Sequence, residues 1–193
     1  MKTALLLNGS KKFGTDGTRL NHTLQGVAKE FLESSGYKVL ETIIDSGYEL
    51  ESEVQKWLES SLAIWQMPAW WMGEPWIVKE YIDKVFSAGS GKFSTSDGRH
   101  RDNPDINYGT GGLMQGKKVM FSTTWNAPLR AFTDKNEFFE GQGIETVMFH
   151  LRKAHEYNGF SVLPTFMCND VMKNPQIDKF IESYKAHLTK HIQ

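Results

Sequence analysis

Two hydrophobic periods take turns along the first ninety residues, and that alternation narrows the fold more than any other feature. "TALLLN" (3–8) is a short apolar run with a polar stop, the pattern of a strand buried on both faces. Leu20, Leu24, Val27, Ala28 and Phe31 then recur at helical spacing, and Gly36 closes that helix. "YKVLETI" (37–43) reads as a second strand, followed by a helix with Val54, Trp57 and Leu58 on one face. "SLAIWQM" (61–67) is the third strand. Pro75 stands where the next helix begins, and Ile77, Val78, Tyr81, Ile82, Val85 and Phe86 form its stripe. Such alternation predicts a doubly wound α/β fold: a parallel sheet with helices on both faces, joined by right-handed crossovers.

Residues 87–116 interrupt the rhythm. They are rich in Gly, Ser, Asp and Asn and too long for an ordinary connection, yet Phe93, Tyr108, Leu113 and Met114 suit an excursion that packs onto something. "KKVMFSTTW" (117–125) resumes the sheet as a fourth strand. A loop of about a dozen residues with Phe132, Phe138 and Phe139 leads to a helix near 144–157. "GFSVLPTFM" (159–167) is the fifth strand, and a last helix starts near Asp178. With no internal repeat and no linker, residues 1–193 read as a single domain.

Charge removes several functions. Lysine and arginine number 22 against 23 acidic residues, and no basic cluster exceeds a lysine pair, so nucleic-acid binding has no electrostatic footprint. No apolar run reaches the roughly 20 residues of a membrane span. The apolar part of "MKTALLLNGSKK" is too short for a signal peptide, and Cys168 has no partner for a disulfide. A cytoplasmic protein is expected.

In an open parallel sheet, ligands sit beyond the carboxyl ends of the strands, near the reversal of strand order. Three loops fall there: 8–20, 67–75 and 124–132. The first, "NGSKKFGTDGTRLNHT", has the glycines, hydroxyls and helix start of a phosphate cradle, with Arg19 adding positive charge. It matches neither a Walker A loop nor a Rossmann fingerprint, and a surface loop with Thr18 as helix cap is an equal reading. The second lies within "WQMPAWWMGEPW" (65–76), which holds four of the six tryptophans. Indole faces beside backbone amides suit a flavin ring; a tryptophan-rich core corner or oligomer interface is the alternative. Adjacent Trp70 and Trp71 cannot both enter one core. The third, "TTWNAP", offers hydroxyls, an indole and an amide that could stabilise negative charge as a flavin accepts a hydride, or simply a turn. "HLTKH" (187–191) has no third metal ligand nearby, and no nucleophile-elbow motif occurs, so reactivity would have to come from a cofactor.

With these loops in place, the chain resembles the modulator of drug activity B family of flavodoxin-like quinone reductases. The resemblance runs nearly end to end, on "NGSKKF", "GTRLNHTL", "WQMPAWWMGEPW", "KEYIDKVF", "SDGRHR", "YGTGGLMQGKK" and "TWNAP". It implies a flavodoxin-like, five-stranded doubly wound domain that binds FAD and takes NADPH as co-substrate. A homodimer with active sites at the subunit interface is implied as well. Asp16, Gly17, Thr18 and Arg19, with Leu20, Asn21, His22 and Thr23, would hold the phosphates and neighbouring parts of FAD. Ala69, Trp70, Trp71 and Met72 would line the isoalloxazine, as would Thr124, Trp125, Asn126 and Ala127. Tyr108 of the excursion would also reach the cofactor.

The animal quinone reductases of the superfamily carry a tyrosine and a histidine after the fourth-strand loop; "LRAFTDKNEFFEGQG" (129–143) contains neither. No catalytic side chain is therefore assigned, and flavin N5 is the expected reactive atom. The expected activity is two-electron, ping-pong hydride transfer from NADPH to a quinone, with Trp71, Met72 and Trp125 shaping the acceptor side. A one-electron flavodoxin carrier is the rival reading. It would need an acidic surface to steer basic partners, which a net charge of −1 does not supply. A flavin-free aromatic binding module would leave the first loop unexplained.

Overall fold

The computed structural model of the chain describes residues 2–14 and 17–192. Strands β1 (Lys2–Asn8), β2 (Tyr37–Ile43), β3 (Leu62–Pro68) and β4 (Lys118–Thr124) are joined by parallel pairings in the order β2-β1-β3-β4. The order reverses between β1 and β3, which places the carboxyl ends of β1, β3 and β4 around one crevice.

Helices cover both faces because each buried strand presents alternate residues to opposite sides. Ala4 and Leu6 of β1, with Leu62 and Ile64 of β3, pack against α1 (Arg19–Ser34) and α7 (Ile177–Ile192). Leu5 and Leu7, with Ala63, Trp65 and Met67, pack against α2 (Leu50–Glu59) and α3 (Trp76–Ala88). The doubly wound, flavodoxin-like architecture expected from the two periods is the one observed.

The fifth strand departs from its expected form. It is split into β5 (Ser161–Val162) and β6 (Phe166–Cys168), both parallel to β4. The Leu163 N–H still donates to Val119 O at 2.7 Å, and the ladder breaks at Pro164, which has no N–H to continue it. The helix expected near 144–157 is likewise two pieces, α5 (Gly143–Val147) and α6 (Phe149–Glu156), hinged at the buried Met148. A short helix, α4 (Leu129–Thr133), occupies part of the preceding loop.

The excursion packs through two of its large apolar residues. Phe93 and Met114 are buried in the α2–α3 side of the core, while Tyr108 and Leu113 are exposed. Leu113 N–H donates to Phe93 O at 2.8 Å and Met114 N–H to Asn158 O at 2.9 Å, tying the excursion to the end of α6. Gly112 is required there, since a Cβ would come within 2.3 Å of the Asn158 carbonyl carbon. Among the described residues no helix is long and apolar enough to cross a membrane.

Candidate functional site

The crevice at the strand ends is walled by all three loops. β1 ends in buried Asn8, whose Oδ1 accepts from the Ser10 N–H at 2.9 Å and so turns the chain sharply. The Gly9 N–H donates to Gln66 O at 2.8 Å, and a Cβ at this glycine would lie 2.2 Å from Val78 Cγ2 of α3. Only glycine lets the first loop lie this close to α3.

Among the described residues, no side chain caps the first turn of α1. Thr18 occupies the N-cap position, yet its side chain makes no capping hydrogen bond, and no acidic residue stands in that turn. The capping role considered for Thr18 is thus not taken up; its carbonyl accepts the first helical bond from His22 N–H at 3.0 Å. The remaining first-turn amides and the helix dipole favour an anion from outside. Arg19 is exposed at this end, while the Thr23 hydroxyl donates back to Arg19 O and His22 faces solvent. Asp16 lies outside the described residues.

The tryptophan loop is a strained hairpin. Trp70 N–H donates to Gly73 O at 2.9 Å and Gly73 N–H to Trp70 O at 3.2 Å. The two residues between, Trp71 (φ 48°) and Met72 (φ 69°), are both left-handed. That geometry normally calls for Asn-Gly, and strain of this kind costs about 1–3 kcal/mol per residue. The turn holds the Trp71 indole 96% exposed. Trp70 instead sits among Phe13 and Trp76, tilted by 43° and 44° to them, with centroids 5.5 and 5.4 Å away. Phe13, Ala69, Trp70, Trp71, Glu74 and Trp76 line a cleft of about 710 Å³. Glu74 is held by His150 of α6, with Nε2 and the carboxylate 2.7 Å apart.

A narrower pocket of about 170 Å³ shares Ala69 and Trp70 with that cleft and runs between the first and third loops. Leu20, Asn21, Pro68, Thr124 and Asn126 line it, joined by Val171 and Met172 of the loop after β6. Its floor is a buried polar group. Gln66 Nε2 donates to Asn21 Oδ1 at 2.8 Å, and Asn21 Nδ2 donates to Thr124 Oγ1 at 3.3 Å. Cys168, buried at the end of β6, is no nucleophile, since burial pushes its thiol up to about 12.

Two expected residues are placed differently. The Trp125 ring is buried, with Nε1 donating to Thr123 Oγ1 at 2.9 Å and edge contacts to Phe132 and Phe139 at 5.1 and 5.9 Å. Phe132 of α4 and Phe139 hold that indole in the core, and the Trp125 N–H and carbonyl pair with Cys168 O and the Val171 N–H. Tyr108 is 70% exposed beside Tyr157 and lines a different hollow, with His150 and Lys153. Gln66, Phe13, Trp76, Val171 and Met172 were not anticipated as neighbours of the site. A lone glutamine inside the apolar run of the third strand was the one signal available for Gln66.

The arrangement suits an elongated ligand with an anionic part and a flat part. The open α1 terminus faces the first, and the indole cleft the second. Among the described residues, no acceptor takes the N–H groups of Trp71, Met72, Asn126 or Ala127, which leaves donors along the same edge. A parallel sheet in this strand order, with its crevice at this position, defines a flavodoxin-like protein. Residues 2–192 match the family model described as flavodoxin-like fold, and the chain belongs to that family. More particularly, it is 54% identical to the NADPH:quinone oxidoreductase MdaB of Haemophilus influenzae, over 96% of this chain and 97% of that one. It is 45% identical to an uncharacterized protein of Schizosaccharomyces pombe, over 95% and 94% of the two chains. Among solved structures, a Klebsiella pneumoniae protein provisionally assigned as a quinone reductase superposes with a TM-score of 0.77 at 21% identity, covering 98% of this chain and 85% of that one. The FMN complex of general stress protein 14 from Treponema denticola superposes with a TM-score of 0.68 at 16% identity, covering 98% and 99%.

Proposed function

We propose that this protein is an NADPH:quinone oxidoreductase that works through bound FAD. The observation that carries the reading is the junction of an uncapped, acid-free helix N-terminus with a tryptophan-lined cleft, in a chain 54% identical to a quinone oxidoreductase. Gly17, Thr18 and Arg19, with the first-turn amides, hold the pyrophosphate; Ala69, Trp70 and the Trp71–Met72 turn bed the ring system. The Asn126 and Ala127 amides would be free to donate to it, and Thr124 and Asn21, which line the adjoining pocket, would help to hold it. When bound, the flavin would supply the two-electron hydride chemistry between NADPH and a quinone.

The chain's own part is to bind, orient and exclude water, and no side chain is assigned as catalytic. Tyr108, away from its own cleft, fits a contribution to the cleft of a second copy, in keeping with a homodimer. A buried lone thiol and the lack of a candidate membrane span among the described residues agree with a cytoplasmic location.

The test is a visible absorption spectrum of freshly purified protein, with chemical identification of any pigment released on denaturation. FAD supports the proposal. FMN would keep the fold and bring forward the one-electron carrier. A colourless protein that takes up no added flavin would overturn the reading.

A further inference from the structure

The polar floor of the narrow pocket has a direction. Gln66, next to the last residue but one of β3, is 1% exposed. Its amide nitrogen donates to Asn21 Oδ1 at 2.8 Å. Asn21 presents Nδ2 to Thr124, whose Oγ1 accepts at 3.3 Å. The competing bond, from the Thr124 hydroxyl back to Asn21 Oδ1, is at the 3.5 Å limit. Once its oxygen has accepted, a hydroxyl keeps one hydrogen to give. Thr124 and Asn21 both line the pocket, so that hydrogen is available to whatever occupies it.

We propose that Gln66 is a positioning residue for the cofactor: it fixes the Asn21 amide so that Thr124 donates its hydroxyl hydrogen into the pocket, to an acceptor atom of the flavin. The proposal rests on the flavin reading above. Gln66 need not touch the ligand. It acts by choosing which end of the Asn21 amide faces Thr124, a choice that three side chains on β3, α1 and β4 make together. In this orientation Gln66 Oε1 is buried without a hydrogen-bond partner among the described residues, so the amide is held through its nitrogen alone. A carboxylate in place of Gln66 would accept rather than donate, drawing Asn21 Nδ2 to itself and leaving Oδ1 against Thr124. The hydroxyl would then give its hydrogen to Asn21 and not to the ligand.

That reversal yields a test a merely structural role would not pass. Apoprotein is titrated with FAD, read by flavin fluorescence, for wild type, Gln66→Glu, Thr124→Val and the double variant. Near pH 8, Gln66→Glu and Thr124→Val should each weaken FAD binding by about tenfold, the worth of one hydrogen bond. The double variant should be no weaker than the worse single one. Burial raises the pKa of an introduced carboxyl, so lowering the pH from about 8 to about 6 favours its protonated form, which donates as the amide did. Gln66→Glu should then recover towards wild type measured at the same pH, while Thr124→Val should not.

Additive losses, or a Gln66→Glu defect that stays the same at both pH values, would overturn the proposal and leave the flavin reading standing. Wild-type protein that binds no flavin would overturn both. Should the buried carboxylate prevent folding, Gln66→Met removes the donor without adding charge. Its loss must then be non-additive with Thr124→Val, and additivity would reject the proposal.

Discussion

The indole N–H of Trp65 donates to Nε2 of His155 across 3.0 Å, in the middle of the α2–α3 side of the core. The other ring nitrogen, Nδ1, donates to Leu151 O at 2.8 Å, so the imidazole is neutral with its proton on Nδ1. Desolvation pulls the His155 pKa down to about 4, and the Leu151 contact offsets this only in part. In the unfolded chain the ring titrates near its ordinary value of about 6.5.

Between those two values the unfolded state binds more protons than the folded one, so stability rises with pH across that window and falls as pH drops through it. His155 should therefore cost the fold up to about 3 kcal/mol on acidification from about pH 6.5 to pH 4. Gln at this position keeps an acceptor for Trp65. His155→Gln should be less stable near neutrality yet show a shallower loss across that window in denaturant melts. An equal slope in the two proteins would reject His155 as the source.

The Trp71–Met72 turn should display a trade between stability and function. Replacing both residues by Asn-Gly supplies the pair this turn prefers and should raise stability by about 1–2 kcal/mol. The same change removes the exposed indole, so it should weaken flavin retention or raise KM for the quinone. A variant that is more stable and kinetically unchanged would remove Trp71 from the cleft's function.

Gly9→Ala places a Cβ against Val78 Cγ2, 2.2 Å away. Such overpacking should destabilise the protein by about 1–3 kcal/mol and loosen the first loop. Adding Val78→Ala opens the space and should restore most of the flavin affinity. Failure of the second substitution to rescue would mean that Gly9 serves some need other than the close approach.

If, as proposed, one aromatic cleft serves both NADPH and a quinone, the two occupy it in turn, and initial-rate double-reciprocal plots at several fixed quinone concentrations should be parallel. Intersecting lines would require both to be bound together, and a second binding region with them.

Much of this protein was legible in its residues. Apolar runs such as "TALLLN" and stripes such as Ile77–Tyr81–Val85 are local patterns, and strand and helix follow from them with little help. Their alternation dictates a parallel sheet, and the odd compositions of three loops mark the crevice at its strand ends. Pro164 could have been read as a break in the last strand, since a missing N–H is a local fact too.

Tertiary structure decided matters that depend on which neighbour competes for a group. Trp125 looks, in sequence, as available to a ligand as Trp70 does. Phe132 and Phe139 draw its ring into the core, whereas Trp70 finds Phe13 and Trp76 at the cleft. Gln66 is one polar residue in an apolar strand until Asn21, 45 positions earlier, is found bonded to it. Periodicity reports how a residue sits in its own element, and so the sheet, its helices and the rim of the site came from sequence alone. Which side chains reach the crevice, and which way their hydrogens point, is settled by contacts between distant segments, and those exist only once the chain has folded.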